Sequence, residues 1–127
     1  MAKTIVRSEA APAPVGPYSQ AVKAGGWLYA SGQIPLDPQT GQLVQGGIEN
    51  ETRRVMDNLS AVLAAGGASL QQVVKVTVYL TDMQDFPAFN AIFAGYFPSD
   101  PPARATVAVA ALPRGVHIEI DAVAYVD

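Results

Sequence analysis

The 127-residue sequence contains no cysteine and a single histidine, His117. The lack of cysteine excludes disulfides, thiolate catalysis and Cys-based zinc or iron–sulfur sites. One histidine is too few for a histidine metal cluster. The sequence also lacks the Gly-rich motifs that hold phosphates and dinucleotides. We therefore expect no metal and no cofactor.

Charged residues are few as well. There are 8 Lys and Arg against 11 Asp and Glu, a net charge of −3, and no basic run is long enough to follow a phosphate backbone. Nucleic acid is therefore not expected as a partner. The N-terminus lacks the apolar core of a signal peptide, and no stretch approaches the length of a membrane span. These absences predict a cytoplasmic protein without a membrane partner.

What the sequence has is apolar content, which is half of the chain. This is enough for one core, so we expect a single domain over residues 1–127. Gly25-Gly26 separates two strand-like segments and predicts a tight hairpin. Pairing Ala24 with Trp27 brings the motif Gly16-Pro-Tyr-Ser-Gln to the motif Ser31-Gly-Gln at its open end.

Two helices and three more strands follow. Apolar residues recur at helical spacing from Ile48 to Leu63 and again from Phe86 to Phe97. Val73–Thr81 alternates as a strand, with Val74, Val76, Val78 and Leu80 predicted on one face. The element order ββ-β-α-β-α-ββ indicates an α+β fold of two layers, in which one mixed sheet carries both helices on one face.

The second face of this sheet is predicted to stay uncovered by the chain itself. It would carry semi-apolar residues, which favours burial against other subunits and ligand clefts between them. These residues are Thr77, Tyr79, Thr106, Ala108, Val123 and Tyr125.

Two ionisable residues interrupt the last two strands, which are otherwise apolar. Arg104 lies in Pro102-Ala-Arg-Ala-Thr106, and Glu119 lies in Val116-His-Ile-Glu-Ile. Burying such groups is costly unless they are paired. A structural Arg104–Glu119 ion pair explains them as well as a substrate site does. By strand alternation, His117 is expected on the same side as Glu119.

The sequence motifs resemble those of the RidA (YjgF-type) family of reactive-intermediate deaminases. The resemblance covers nearly the whole chain, and the motifs occur in family order. They are Gly16-Pro-Tyr-Ser-Gln-Ala, Ser31-Gly-Gln-Ile-Pro, Phe89-Asn90, Pro102-Ala-Arg104 and Leu112-Pro-Arg-Gly-Val-His-Ile-Glu119.

The resemblance implies a chorismate-mutase-like fold assembled as a homotrimer with clefts between subunits. It also implies hydrolysis of 2-imino acids, such as 2-iminobutanoate and 2-iminopropanoate, which leak as imines or enamines from pyridoxal-phosphate enzymes. The family's carboxylate-binding arginine falls on Arg104 and its water-handling glutamate on Glu119. A planar guanidinium suits a carboxylate, and a carboxylate can orient a water and accept its proton.

The same resemblance implies further substrate-binding residues. Thr106 stands where many relatives have cysteine, so thiol chemistry is not carried over, although its backbone N–H or hydroxyl could contact the substrate carboxylate. Phe89 and Asn90 would reach the cleft from the second helix, although Phe89 could instead be plain core and Asn90 could lie on the helix surface. Tyr18, Ser31 and Gly32 would form the cleft wall and supply hydrogen-bond donors.

Two other functions remain open at this point. A module that binds 2-keto acids without turnover would need Arg104 but not Glu119. An endoribonuclease or translation inhibitor, a role proposed for some relatives, is disfavoured by the acidic balance of charges.

Overall fold

The computed structural model describes residues 2–127, and the predicted element order is confirmed. These residues contain six strands and two helices in the order β-β-β-α-β-α-β-β, with three single 3-10 turns between them. The elements are β1 (Thr4–Val6), β2 (Ala21–Ala24), β3 (Trp27–Gln33), α1 (Gly47–Ala65), β4 (Val73–Leu80), α2 (Phe86–Tyr96), β5 (Ala103–Ala108) and β6 (Ile118–Tyr125). None of the helices in this part of the chain has the length and hydropathy that a bilayer crossing requires.

The six strands form one mixed sheet in the order β1-β2-β3-β6-β4-β5. Only β4 and β5 run parallel, because α2 connects them as a crossover. The hairpin β2–β3 has the predicted register, with Ala24 opposite Trp27. Since β4 separates β5 from β6, the strands that carry Arg104 and Glu119 are not neighbours.

The core lies between one face of the sheet and the two helices. The apolar stripe of α1 packs on alternate residues of the central strands, as helical and strand periodicities require. Fully buried members of this core include Val55, Leu59, Leu28, Val76, Val78, Ile118 and Ile120. Their strand neighbours in sequence therefore point to the opposite face.

Two predictions about side-chain direction are wrong. Val74 is exposed because the pairing of β4 with β6 shifts register between Val73 and Lys75, and this bulge reverses the alternation. Thr106 and Ala108 do not belong to the open face. They pair with the buried residues of β4, so they point toward the helix layer.

The open face of the sheet carries several large apolar side chains in contact with solvent. Trp27 and Tyr125 pack edge to face, with 4.9 Å between their ring centroids. Tyr29 and Val107 on the same face are 53% and 42% exposed. A face of this size and composition is unusual for a monomer.

Candidate active site

Arg104 lies on the edge strand β5, beneath α2. It pairs with the buried Val76 and so points to the helix-covered face. Its guanidinium carbon lies 5.1–5.5 Å from the ring centroids of Phe86, Phe89 and Phe93. Cation–π contacts of this kind hold the planar group against the helix. Arg104 is nevertheless exposed on its outer side.

Asn90 completes the setting of Arg104. Nη1 of Arg104 donates a hydrogen bond of 2.8 Å to Oδ1 of Asn90. A guanidinium has five N–H donors, so this bond leaves donors free. A groove of about 380 Å³ opens beside the pair and is lined by Asn90, Arg104, Phe93 and Pro102 among others. Arg104 is therefore oriented and accessible to an anion.

Asn90 was predicted either to belong to the site or to lie on the helix surface. It contacts Arg104 directly, so it belongs to the group around Arg104. Phe89 is fully buried and at the same time lies under the guanidinium, so it is both core and support. Thr106 is two residues beyond Arg104 on the same face of β5. Its hydroxyl oxygen is buried without a hydrogen-bond partner in the described chain. An unpaired buried hydroxyl is costly unless a ligand completes it.

Glu119 lies on the opposite, open face of the sheet. On β6 it alternates with the buried Ile118 and Ile120, and it pairs with Tyr79 of β4. Its carboxylate packs over Gly32 of β3, where a Cβ atom would overlap it. Burial raises the pKa of Glu119, and the negative charge of Asp121 raises it further. A carboxyl with a raised pKa is suited to exchanging protons near neutral pH.

The approach of Glu119 to Gly32 depends on a bulge. Ser31 and Gly32 together stand opposite a single position of β6, because the register shifts between Ala30 and Gln33. The hydroxyl of Ser31 donates a 2.6 Å hydrogen bond to the carbonyl of Ser19, which joins the two hairpin motifs. That proton is therefore engaged within the hairpin rather than free for a ligand.

Tyr18 lies beside Gly32 and so belongs with the residues around Glu119. It is 51% exposed and lines, with Gly32, a cavity of about 80 Å³ beside the proline-rich segment that connects β1 to β2. The rest of the lining is mainly apolar and includes Val15, Ile34, Leu36 and Pro113, with Arg114 at one side. The predicted site residues thus form two groups, one around Arg104 and one around Glu119.

The structural Arg104–Glu119 ion pair is not present. Residues 2–127 contain one ion pair by distance, between His117 and Glu51. Arg104 and Glu119 point to opposite faces of the sheet, and the intervening β4 separates their strands by about 10 Å. A single copy of the chain does not bring both groups to one small substrate.

His117 is not on the side of Glu119, contrary to the expectation from alternation. It precedes β6, and its ring nitrogen Nδ1 lies 2.6 Å from Oε2 of Glu51 on α1. Oε1 of the same carboxylate accepts the backbone N–H of His117 at 2.9 Å. Glu51 is buried, and sequence reasoning missed it because its partner is 66 residues away.

This pair predicts a pH-dependent contribution to stability. The hydrogen bond to Glu51 and its charge raise the pKa of His117 above its usual value. The stabilisation is therefore complete below about pH 6.5 and is lost as the pH rises through the folded-state pKa. We expect the melting temperature of the wild type to exceed that of Glu51→Gln by a margin that shrinks from about pH 6 to about pH 9. A margin independent of pH would contradict this assignment.

Gly32→Ala is expected to displace the carboxylate of Glu119 without unfolding the chain. The added Cβ would lie 2.7 Å from Cδ of Glu119, and the flexible end of that side chain can move away. Misplacing a reacting group by about 1 Å costs on the order of 10²-fold in turnover. Gly95→Ala in α2 is the control, because a Cβ there meets no atom within 4 Å. Equal turnover in both variants would contradict the role of Gly32.

Similarity to known proteins places the chain in a family. The model for "Endoribonuclease L-PSP" matches residues 8–126. This chain belongs to the RidA (YjgF-type) family. It is 48% identical to mouse 2-iminobutanoate/2-iminopropanoate deaminase over 96% of this chain and 90% of that protein.

Solved structures of the family are closely similar. RidA from a Psychrobacter species is 43% identical, with a TM-score of 0.94 over 97% of this chain and 99% of its own. Escherichia coli TdcF with bound serine is 35% identical, with a TM-score of 0.94 over 98% of this chain and 99% of its own. The family and the fold are therefore established.

Proposed function

We propose that this protein hydrolyses reactive 2-imino acids, such as 2-iminobutanoate and 2-iminopropanoate, to 2-keto acids and ammonia. The proposal depends mainly on the arrangement of Arg104. Side chains of α2 orient its guanidinium and leave N–H donors free to bind a carboxylate. The name of the mouse relative supports this reaction. TdcF binds serine, an amino acid with the carboxylate that Arg104 would hold.

The proposed site is formed between copies of the chain. Arg104 of one subunit would face Glu119 of another, since one chain holds them on opposite faces of its sheet. The exposed aromatic residues of the open face support its burial against a second subunit. A cyclic trimer, as the family resemblance implies, would then contain three equal clefts.

In this cleft the substrate carboxylate would bind Arg104, with Thr106 as a further contact. The unpartnered hydroxyl of Thr106 would gain an acceptor there. The cavity beside Tyr18 and Gly32 would receive the substrate side chain, since its lining is mainly apolar and its volume fits a few carbon atoms. Small aliphatic imino acids therefore match the site.

The chemistry needs one group that moves protons. Glu119 would orient a water and accept one of its protons as the water oxygen bonds to C2 of the protonated imine, while the C=N electron pair moves to nitrogen and gives a neutral carbinolamine. Glu119 would then return that proton to the nitrogen and take up the hydroxyl proton as the C–N bond breaks, C=O forms and ammonia leaves. The raised pKa of Glu119 suits both transfers.

The decisive experiment generates 2-iminobutanoate in situ and measures release of 2-ketobutanoate with and without the purified protein, in the presence of a chelator. We expect acceleration that the chelator does not affect, because no three His, Cys, Asp or Glu side chains cluster within residues 2–127. Binding of 2-ketobutanoate without acceleration would identify a non-catalytic module instead. Cleavage of RNA without imine hydrolysis would support the endoribonuclease alternative.

A further inference from the structure

A second carboxylate stands beside Glu119 on the open face of the sheet. Asp121 is two residues further along β6, so both side chains point the same way. The hydroxyl of Tyr79 donates a hydrogen bond of 3.0 Å to Oδ2 of Asp121. Tyr79 stands directly opposite Glu119 in the pairing of β4 with β6. Its hydrogen bond to Asp121 therefore runs diagonally across the two strands.

This arrangement favours a fixed charge on Asp121. A hydroxyl that donates to a carboxylate stabilises its ionised form. Residues i and i+2 of a strand lie about 7 Å apart, and a like charge at that distance disfavours ionisation of the neighbour. The geometry therefore places the charge of Asp121 where it disfavours ionisation of Glu119.

Within one copy of the chain the other elements around Glu119 supply no comparable charge, whereas in the proposed cleft Arg104 of the partner subunit would also face it. On β3 its neighbours are Gly32 and Ser31, which do not titrate. Lys75 of β4 also points to the open face of the sheet. It pairs with Val123, which is four residues beyond Glu119 on β6. On the same face β5 carries only Ala103, Ala105 and Val107, and Arg114 lies in the turn before β6.

We propose that the Tyr79–Asp121 pair is a positioning element that fixes a negative charge beside Glu119 and so sets the pH range in which Glu119 exchanges protons. The proposal rests on the function proposed above. Burial is the largest cause of the raised pKa of Glu119, and Asp121 is the second. The pKa of Tyr79 is itself raised, by burial and by Asp121, so the phenol stays a proton donor.

The test is a carbon-13 NMR titration of the Glu119 carboxyl in the absence of substrate, together with the pH profile of kcat/KM. Asp121→Asn should lower the Glu119 midpoint by about one pH unit or less, and move the acid limb of the profile in the same direction. Asp100→Asn, in the loop after α2, removes the same charge elsewhere and should change neither. An unchanged Glu119 midpoint in Asp121→Asn would overturn the inference.

Tyr79→Phe provides a second, independent variant that keeps both carboxylates. Without the phenol less negative charge is held beside Glu119, so the Glu119 titration should move in the same direction as in Asp121→Asn, by a smaller amount. An unchanged Glu119 titration in Tyr79→Phe would overturn the role of the phenol. Since the NMR measurement requires no turnover, a shifted midpoint in a protein without imine hydrolysis would support the pair and contradict only the proposed function.

Discussion

Glu119→Gln is expected to lower turnover of 2-imino acids by roughly 10²–10⁴-fold while largely preserving affinity for a 2-keto acid. The amide keeps the shape that packs over Gly32 but does not accept a proton from water at neutral pH. In the proposed site the carboxylate is bound by Arg104, which Glu119 does not contact in its own chain. The defect should therefore appear in kcat and not in the binding constant.

Single-turnover measurements and calorimetry with 2-ketobutanoate separate these two quantities. Glu9→Gln is the matched control, since Glu9 is exposed in the N-terminal connector and should tolerate the same change. Full activity in Glu119→Gln would mean that another group handles the water. Loss of keto-acid binding in that variant would mean that Glu119 is part of the anion site.

Arg104→Ala should abolish binding and turnover together. It removes the charge-assisted contact with the substrate carboxylate, a loss of roughly 2–5 kcal/mol in binding. The fold should survive, because Arg104 is exposed and forms no ion pair with Glu119. Arg104→Lys keeps the positive charge but lacks the two parallel N–H donors. Its binding affinity and turnover should therefore lie between those of the wild type and of Arg104→Ala. Unfolding of Arg104→Ala would favour a structural role instead.

A mixture of the two inactive variants tests whether the site is shared. If Arg104 and Glu119 of one site come from different subunits, co-assembled Arg104→Ala and Glu119→Gln chains regain intact sites. Random assembly of equal amounts restores about a quarter of the sites in a cyclic oligomer. If both residues of a site come from the same subunit, every mixed site lacks one of them and activity stays absent.

Much of the architecture follows from local pattern. The hairpin register was predictable from Gly25-Gly26, whose turn specifies which residues pair. Both helices were predictable from their apolar periodicity, and the two-layer α+β arrangement follows because two such helices cover one sheet face. The exposure of Val74 was not predictable, since it arises from a bulge in pairing with a strand about 50 residues away.

The residues of the candidate site were also predictable from the sequence, but their geometry was not. An arginine and a glutamate among apolar residues indicate a site or an ion pair, and the motifs around them indicate the family. Strand alternation fixes directions only within one strand. Whether Arg104 and Glu119 share a face depends on β4, which enters between their strands and pairs parallel to one and antiparallel to the other.

The sequence alone therefore determined the elements, the family and the residues on which the proposed chemistry depends. Only the tertiary structure decided that Arg104 is held by the aromatic rings and Asn90 of α2, that Glu119 packs over Gly32, and that the two point to opposite faces. The physical reason is that propensity and periodicity act over a few residues. Strand order, register and contacts such as Tyr79–Asp121 join residues about 40 positions apart.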